Sequence, residues 1–590
     1  MLVYFIGLVV YCSLFHIWLV LGVLYEHFED LPSAIYDFVI VGAGAAGSVL
    51  ANRLSEIPDF SVLLLEAGGS NKDALLTQVP FFCTRLSHTE YDWNHTTTLQ
   101  IGLNGRSIPF ARGHVLGGST SINGMFYTRG SSEDFNRYAE VTRDPGWSWT
   151  SIQPYIRKNE KFIAPADHHN TTGQFEPSIH GFHGNNLVSL PGFPQAIDSR
   201  VIQTTRDSEE FSFNQDMNSG NLLGLGWSQA TIGGGSRSSS ATAYLNAEFS
   251  ARKNLHILVN TRVTRVLSSP CDGTFRTVEF VQSQGLDWVV SARKELILSA
   301  GTIGSPQILM NSGIGARNEL EELGIPTLHD LPAVGKNLTD HPRLASNWVV
   351  HGHKTYDLIN QNSSFSDRLL QFWSSTKKGP LVDTFASQLF FARLPSSKLI
   401  NEDPASGSSS PHYELGFSNG FVGETPPVGN FIGITTRVVS PTSRGSVKLQ
   451  SSNPLDSPLI DPGFLQTEFD ILTMREAVKS AMRFLEAPAW KDYVLHPFGA
   501  LANAINDSLL DSYIRNSTGT SSHCTGTNGM SAKDSTYGVV DPDFRIKGLS
   551  GIRIVDASVL PFVPSAHTQA PVYIFAERAA DLIKEAWYIE

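Results

Sequence analysis

Residues 36–66 constrain this chain more than any other stretch. Tyr36-Asp-Phe-Val-Ile-Val41 is a short β-branched and aromatic run, the composition of a buried strand. Gly42-Ala-Gly-Ala-Ala-Gly47 follows, and Ser48–Leu54 continues at helical spacing. A second apolar run, Ser61–Leu65, ends in Glu66. Strand, glycine-rich turn, helix and strand within about 30 residues make a βαβ unit, which commits the region to a parallel sheet. The glycines have separate jobs: Gly42 permits the tight turn, Gly44 lets a pyrophosphate approach bare backbone, and Gly47 lets helix and strand pack closely. Free N–H groups at the helix start face the phosphates. Glu66, 19 residues after Gly47, is placed to accept hydrogen bonds from a ribose. A lone glycine fingerprint is weak, but here all the parts coincide, so a dinucleotide site is expected. This unit alone does not choose between NAD and FAD.

The C-terminus offers a second clear set. Ile552–Val555 reads as a strand ending in Asp556, and Pro571 suits the first turn of a helix continuing over Val572–Ala586. Between the two ends, short strands mix with irregular segments whose order the sequence does not fix.

Composition removes several function classes. Forty-four basic against 56 acidic side chains give a net charge of -12, which disfavours a nucleic-acid partner. Four cysteines exclude a disulfide-dense scaffold. Cys12 lies in an apolar leader, and Cys83, Cys271 and Cys524 cannot all pair with one another. The pairs His168/His169 and His351/His353 lack a full metal-ligand set, and no metal site is expected. There is no G-x-S-x-G elbow and no P-loop.

The leader itself, Leu2–Tyr25, carries no charge, and the first Lys or Arg is Arg53. Its length suits a secretory signal or a membrane anchor. Six N-x-[ST] sequons, at Asn94, Asn170, Asn337, Asn362, Asn506 and Asn516, favour secretion and glycosylation, with a retained anchor through residues 2–25 as the alternative.

Two further stretches carry a family resemblance. Arg112-Gly-His-Val-Leu-Gly-Gly-Ser-Thr-Ser-Ile-Asn123 and Ser299-Ala-Gly-Thr-Ile-Gly-Ser-Pro-Gln-Ile-Leu-Met-Asn-Ser-Gly-Ile-Gly315 resemble the two signatures of the glucose–methanol–choline oxidoreductases. Val334-Gly-Lys-Asn-Leu-Thr-Asp-His341 and Val555-Asp-Ala-Ser558 are also similar to family segments. Tyr91–Thr98, Asn104–Ile108, Leu190–Pro194 and Thr467–Asp470 look closest to secreted fungal aryl-alcohol oxidases.

The resemblance implies an α/β flavoprotein. A Rossmann-like FAD domain would be assembled from residues 35–170, 228–335 and 525–590. A substrate domain, a β-sheet backed by helices, would comprise 171–227 and 336–524. It implies that Gly117 and Gly118 leave room for the cofactor, that Asn123 contacts the flavin, and that Val263 and Asp556 belong to the cofactor site. Some relatives link FAD covalently through a histidine just before the asparagine. That position is Ile122 here, so non-covalent FAD is expected.

The resemblance also implies a catalytic pair. His523 is expected to remove the hydroxyl proton, and His567 to hold the alcohol oxygen while a hydride leaves carbon. The expected reaction converts a primary aromatic or allylic alcohol to an aldehyde and reduces O2 to peroxide. The alternatives are a quinone-dependent alcohol or sugar dehydrogenase and a flavin-binding protein without activity. A monomer is expected, with membrane contact only through a retained leader. Four positions depart from the family pattern: His114 replaces Arg or Lys, Cys524 replaces Pro, and Ser522 and His95 replace two entrance aromatics. A wider, more polar entrance is expected, with wall and core equally open as the place of each of Phe417 and Phe421.

Overall fold

A computed structural model describes residues 24–587 except 73, 284, 286, 396–401 and 424–426. The leader up to Val23 thus lies outside the described residues. Its last two residues, Leu24–Tyr25, form a short parallel strand beside Ile257 and Leu258. Phe28 then packs against Phe280 and Trp288. No described helix is long and apolar enough to cross a membrane.

The first sheet grows from the βαβ unit. Its parallel path runs Leu24–Tyr25, Leu255–Leu258, Val62–Leu65, Ile35–Val41 and Asp287–Leu298. The far edge of Asp287–Leu298 is divided. Its first residues pair antiparallel with Phe275–Val281, and its last three pair in parallel with Ile552–Ile554. Val39, Ile40, Leu63, Leu64, Ile297 and Leu298 are fully buried, as expected of parallel strands covered on both faces. Three backbone bonds level the carboxyl ends of these strands: Gly42 N to Leu65 O at 2.7 Å, Ser299 N to Val41 O at 2.7 Å, and Val555 N to Leu298 O at 2.8 Å. Ligands of open parallel sheets bind beyond that edge.

The helix Ala45–Leu54 packs on this sheet, and the C-terminal helix Gln569–Trp587 packs against that helix. A buried ion pair joins them. Arg53 Nε and Nη2 donate to the two carboxylate oxygens of Glu577 at 2.8 and 2.9 Å, and Tyr244 OH donates to the same group at 2.8 Å. Burying such charges is tolerable only when each has its partner.

The second sheet is antiparallel. Its order is Val494–Pro497, Pro342–Val350, Phe431–Val438, Tyr413–Ser418, Ala386–Ala392 and Gly224–Trp227. The helix Glu468–Glu486, capped by the Thr467 side chain, covers one face. Phe484 of that helix stacks on Phe417 at 4.2 Å, so Phe417 belongs to the core. Phe421 packs edge-on against Phe431 and lines a side cavity. Gly519–Thr520 pairs with Pro342–Arg343, which brings residues 521–524 beside His341. Cys83 and Cys524 are buried and Cys271 is exposed, all as free thiols.

Candidate active site

A cavity of about 880 Å³ opens beyond the carboxyl ends of the first sheet and runs to the second. Its inner part is the nucleotide cradle. Gly42 has φ +99°, and a Cβ there would lie 2.5 Å from Ser299 O. A Cβ on Gly47 would lie 1.9 Å from Gly42 O, so this glycine serves packing. Gly44 differs: a Cβ there would meet nothing within 4 Å, because the position faces the cavity. Glu66 is buried, accepting from Ala43 N at 2.8 Å and Gly68 N at 2.9 Å. Burial pushes its pKa up to about 7, against these backbone donors.

The other expected cofactor residues divide. Gly118, Asn123, Val263 and Asp556 line the same cavity. Gly117, at φ +93°, does not: a Cβ there would lie 2.3 Å from Ser121 Oγ, so its glycine is required by the turn itself. Asp556 accepts from Gly301 N at 2.9 Å and Ser305 Oγ at 2.6 Å, fixing the start of the Gly301–Asn311 helix at the cavity wall. Asn123 is held by Arg237 Nη1 at 2.8 Å and donates to Gln569 Oε1 at 3.2 Å, in the first turn of the C-terminal helix. An open glycine face, a buried carboxylate and a helix N-terminus along one cavity fit FAD, and Gly44, Glu66, Gly118, Asn123, Val263 and Asp556 are the residues that would hold it.

At the other end His523 and His567 meet edge to face, ring centroids 4.7 Å apart. Each is fixed by its backbone: His523 N donates to Asp340 Oδ1 at 2.8 Å, and His567 N to Thr128 Oγ1 at 2.8 Å. Burial pushes the His523 pKa well below the usual histidine range, and neighbouring His567, His341 and Arg437 add to the effect. His523 is therefore neutral near pH 7, the form that accepts a proton.

Three groups that the sequence reading did not assign complete the site. His341 Nδ1 lies 3.0 Å from His523 Nδ1. Glu414 faces His567 Nε2 at 3.2–3.3 Å and accepts from Arg437 Nη1 at 2.5 Å. Burial alone would raise the Glu414 pKa, but Arg437, His567 and His341 hold it down at about 2. His341 ends the Val334–His341 stretch already noted, so a signal for it existed. Glu414 and Arg437 sit directly opposite on neighbouring strands, a relation that only register reveals.

The mouth is polar. Ser522 and His95 both line the cavity, and Arg112 donates to Ser522 O at 2.7 Å and to Cys524 Sγ at 3.0 Å. His95 stacks parallel to Trp93 with centroids 5.8 Å apart, while His114 meets Trp93 edge-on at 4.5 Å.

Comparison with known proteins agrees with this architecture. The chain is 41% identical to pyranose dehydrogenase 3 of Leucoagaricus meleagris, covering 96% of each chain. The structure of formate oxidase from Aspergillus oryzae superposes with a TM-score of 0.87 at 28% identity, covering 94% of this chain and 98% of that one. A fungal aryl-alcohol oxidase superposes with a TM-score of 0.80 at 25% identity, covering 94% and 99%. Likeness to a named dehydrogenase is thus greater in sequence than likeness to this oxidase. The GMC oxidoreductase N-terminal and C-terminal families match residues 36–343 and 441–576, and the chain belongs to the GMC oxidoreductases.

Proposed function

We propose that this protein oxidises a hydroxyl group of an alcohol or sugar and passes the electrons to a quinone-type acceptor in preference to oxygen. The observation that carries the reading is the meeting of His523 and His567 at 4.7 Å inside the cavity that also holds the nucleotide cradle. His523 removes the hydroxyl proton, and His567 holds the substrate oxygen in register. Glu414, itself held by Arg437, orients the His567 ring from behind. FAD, when bound, supplies the two-electron acceptor that no side chain provides. Ile122 lines the cavity and has no nucleophile, which supports non-covalent attachment.

The choice of dehydrogenase over oxidase is supported by the 41% identity to a pyranose dehydrogenase. The polar lining supplied by Ser522, His95 and Arg112 suits a polyhydroxy substrate better than a narrow aromatic slot would. The test is a steady-state assay with benzylic, allylic and sugar alcohols, read in parallel by benzoquinone reduction and by peroxide. Faster peroxide formation than quinone reduction on every substrate would favour the oxidase. No flavin bleaching with any alcohol under anaerobic conditions would sink the catalytic reading.

A further inference from the structure

The cavity wall carries an uneven charge inventory. Arg106, Arg112, Arg262, Arg343 and Arg437 line it, against the carboxylates Glu66 and Asp556 among the described residues. Both carboxylates lie in the nucleotide cradle and are already engaged by backbone N–H groups. The reactive end therefore has several guanidinium groups and no carboxylate exposed to the cavity.

Arg343 stands out among these cations. Arg437 pairs with Glu414, Arg112 with Ser522 O and Cys524 Sγ, Arg106 with the carbonyls of Arg515 and Thr518, and Arg262 with Pro454 O. Among the described residues Arg343 has no such partner and no ion pair. It also sits directly opposite Arg437 on the neighbouring antiparallel strand. Like charges placed opposite each other destabilise a sheet. Glu414 pairs with Arg437, whereas Asp340 acts on Arg343 only through space, without an ion pair. Burial and the adjacent Arg437 lower the Arg343 pKa to about 10, which leaves the guanidinium charged near pH 7.

The location gives this charge a use. Arg343 lines both the catalytic cavity and a smaller one of about 370 Å³ beside it. Val422, Gly423 and Gly519 also border both, so the two spaces adjoin. The smaller space has an aromatic wall of Phe421, Phe498 and Tyr513. Asn347 closes its floor by accepting from Val422 N at 2.9 Å and donating to Val422 O at 3.2 Å. Arg343 is two residues from His341, whose ring touches that of His523. A substrate with its hydroxyl at His523 can thus extend toward Arg343.

We infer that Arg343 and the adjoining cavity form a carboxylate subsite, so the preferred substrate is an alcohol that also carries a carboxylate. This rests on the hydroxyl-oxidation reading given above. A planar guanidinium matches a carboxylate with two parallel N–H···O bonds. The ligand's negative charge supplies what the strand pair lacks. Two sources share this chemistry: a sugar acid, and an aryl alcohol bearing a ring carboxylate.

The test uses the holoenzyme and has a binding arm and a turnover arm. Calorimetry compares p-toluate with p-toluamide, and galacturonate with galactose. The acid should bind about 10- to 100-fold tighter than its neutral counterpart in at least one pair, as expected for a charge-assisted bond in an enclosed site. The responding pair identifies the source. Arg343→Met should erase the preference, and Arg343→Lys should keep part of it. Equal binding of acid and neutral partner in both pairs, or a preference that survives in Arg343→Met, overturns the subsite. If Arg343→Met does not retain flavin, wild type and Arg343→Lys decide by the same comparison.

The turnover arm compares p-carboxybenzyl alcohol with benzyl alcohol, and galacturonate with galactose, using uncharged benzoquinone as acceptor. The acid-to-neutral ratio of kcat/KM should fall at least about 10-fold in Arg343→Met, through KM. If acids bind through Arg343 while none of the alcohols is oxidised, the subsite stands and the hydroxyl-oxidation reading fails alone.

Discussion

His341 Nδ1 and His523 Nδ1 lie 3.0 Å apart, so one of the two carries the shared proton and the other accepts it. If His523 holds it, the Nε2 lone pair of His523 is free for a substrate hydroxyl. His341 then carries its own proton on Nε2, an atom that is buried without a hydrogen-bond partner. In that arrangement His341 would fix the tautomer that the proposed role of His523 as a base requires.

Replacing His523 by Ala should slow anaerobic flavin reduction by roughly 10²-fold or more while FAD content stays near normal. His341→Phe keeps the ring volume and removes the acceptor. Its flavin reduction should slow about 10-fold or more, with the larger effect on kcat. A His341→Phe enzyme that reduces its flavin as fast as the parent would show that the tautomer is set elsewhere. Because the His523 pKa lies well below the usual range, kcat/KM should show no histidine-type loss between pH 7.5 and about 6.

The other half of the pair depends on Glu414. His567→Asn keeps a hydrogen-bonding group and should cost less rate than His567→Ala. Glu414→Gln removes the negative charge between His567 and a buried Arg437. Leaving that guanidinium unpaired should cost about 3–5 kcal/mol of stability, read as a lowered Tm, along with slower turnover. A Glu414→Gln protein with parental Tm and rate would remove Glu414 from the site.

Asp383 gives a test of pH dependence. It is buried and accepts from Gly192 N at 2.7 Å, while its Oδ2 has no partner. Burial raises its pKa to about 7, so the native state holds a proton that the unfolded chain has released. The stability Asp383 confers is full below pH 4 and is lost as pH rises through 7. Asp383→Asn should therefore raise Tm more at pH 8 than at pH 5. An equal change at both values would place the Asp383 titration outside this window.

The six sequons are not equivalent in the fold. Asn94, Asn170, Asn362, Asn506 and Asn516 are exposed. Asn337 is half-buried, and its Nδ2 donates to Pro561 O at 3.2 Å. On secretion from a glycosylating host, peptide mapping should find glycan among the exposed five and none at Asn337. Glycan on Asn337 would mean the side chain is reached before the segment folds.

What was legible in the sequence follows the range of the interactions. Gly42, Gly44, Gly47 and Glu66 lie within one βαβ unit, so local spacing was enough to place them. His523 and His567 came only through family resemblance, because nothing local distinguishes them from the other sixteen of the chain's 18 histidines. Glu414 and Arg437 were not visible, since their meeting depends on antiparallel register between Tyr413–Ser418 and Phe431–Val438. Gly117 was assigned to the cofactor by its signature, whereas its turn alone explains it. The C-terminal helix starts at Gln569, which puts Pro571 in its first turn as the sequence indicates.

The pairing of Arg53 with Glu577 has a consequence for synthesis. Arg53 leaves the ribosome 524 residues before the Glu577 carboxylate that pairs with it. Until then the first helix has only Glu56 to balance that guanidinium, and the nucleotide cradle lacks the Gln569–Trp587 helix beside it. The nascent chain cannot close around its cofactor before the helix that carries Glu577 has been made. A stop codon ahead of Glu577 would leave a product for quality control to clear, rather than a weakened enzyme.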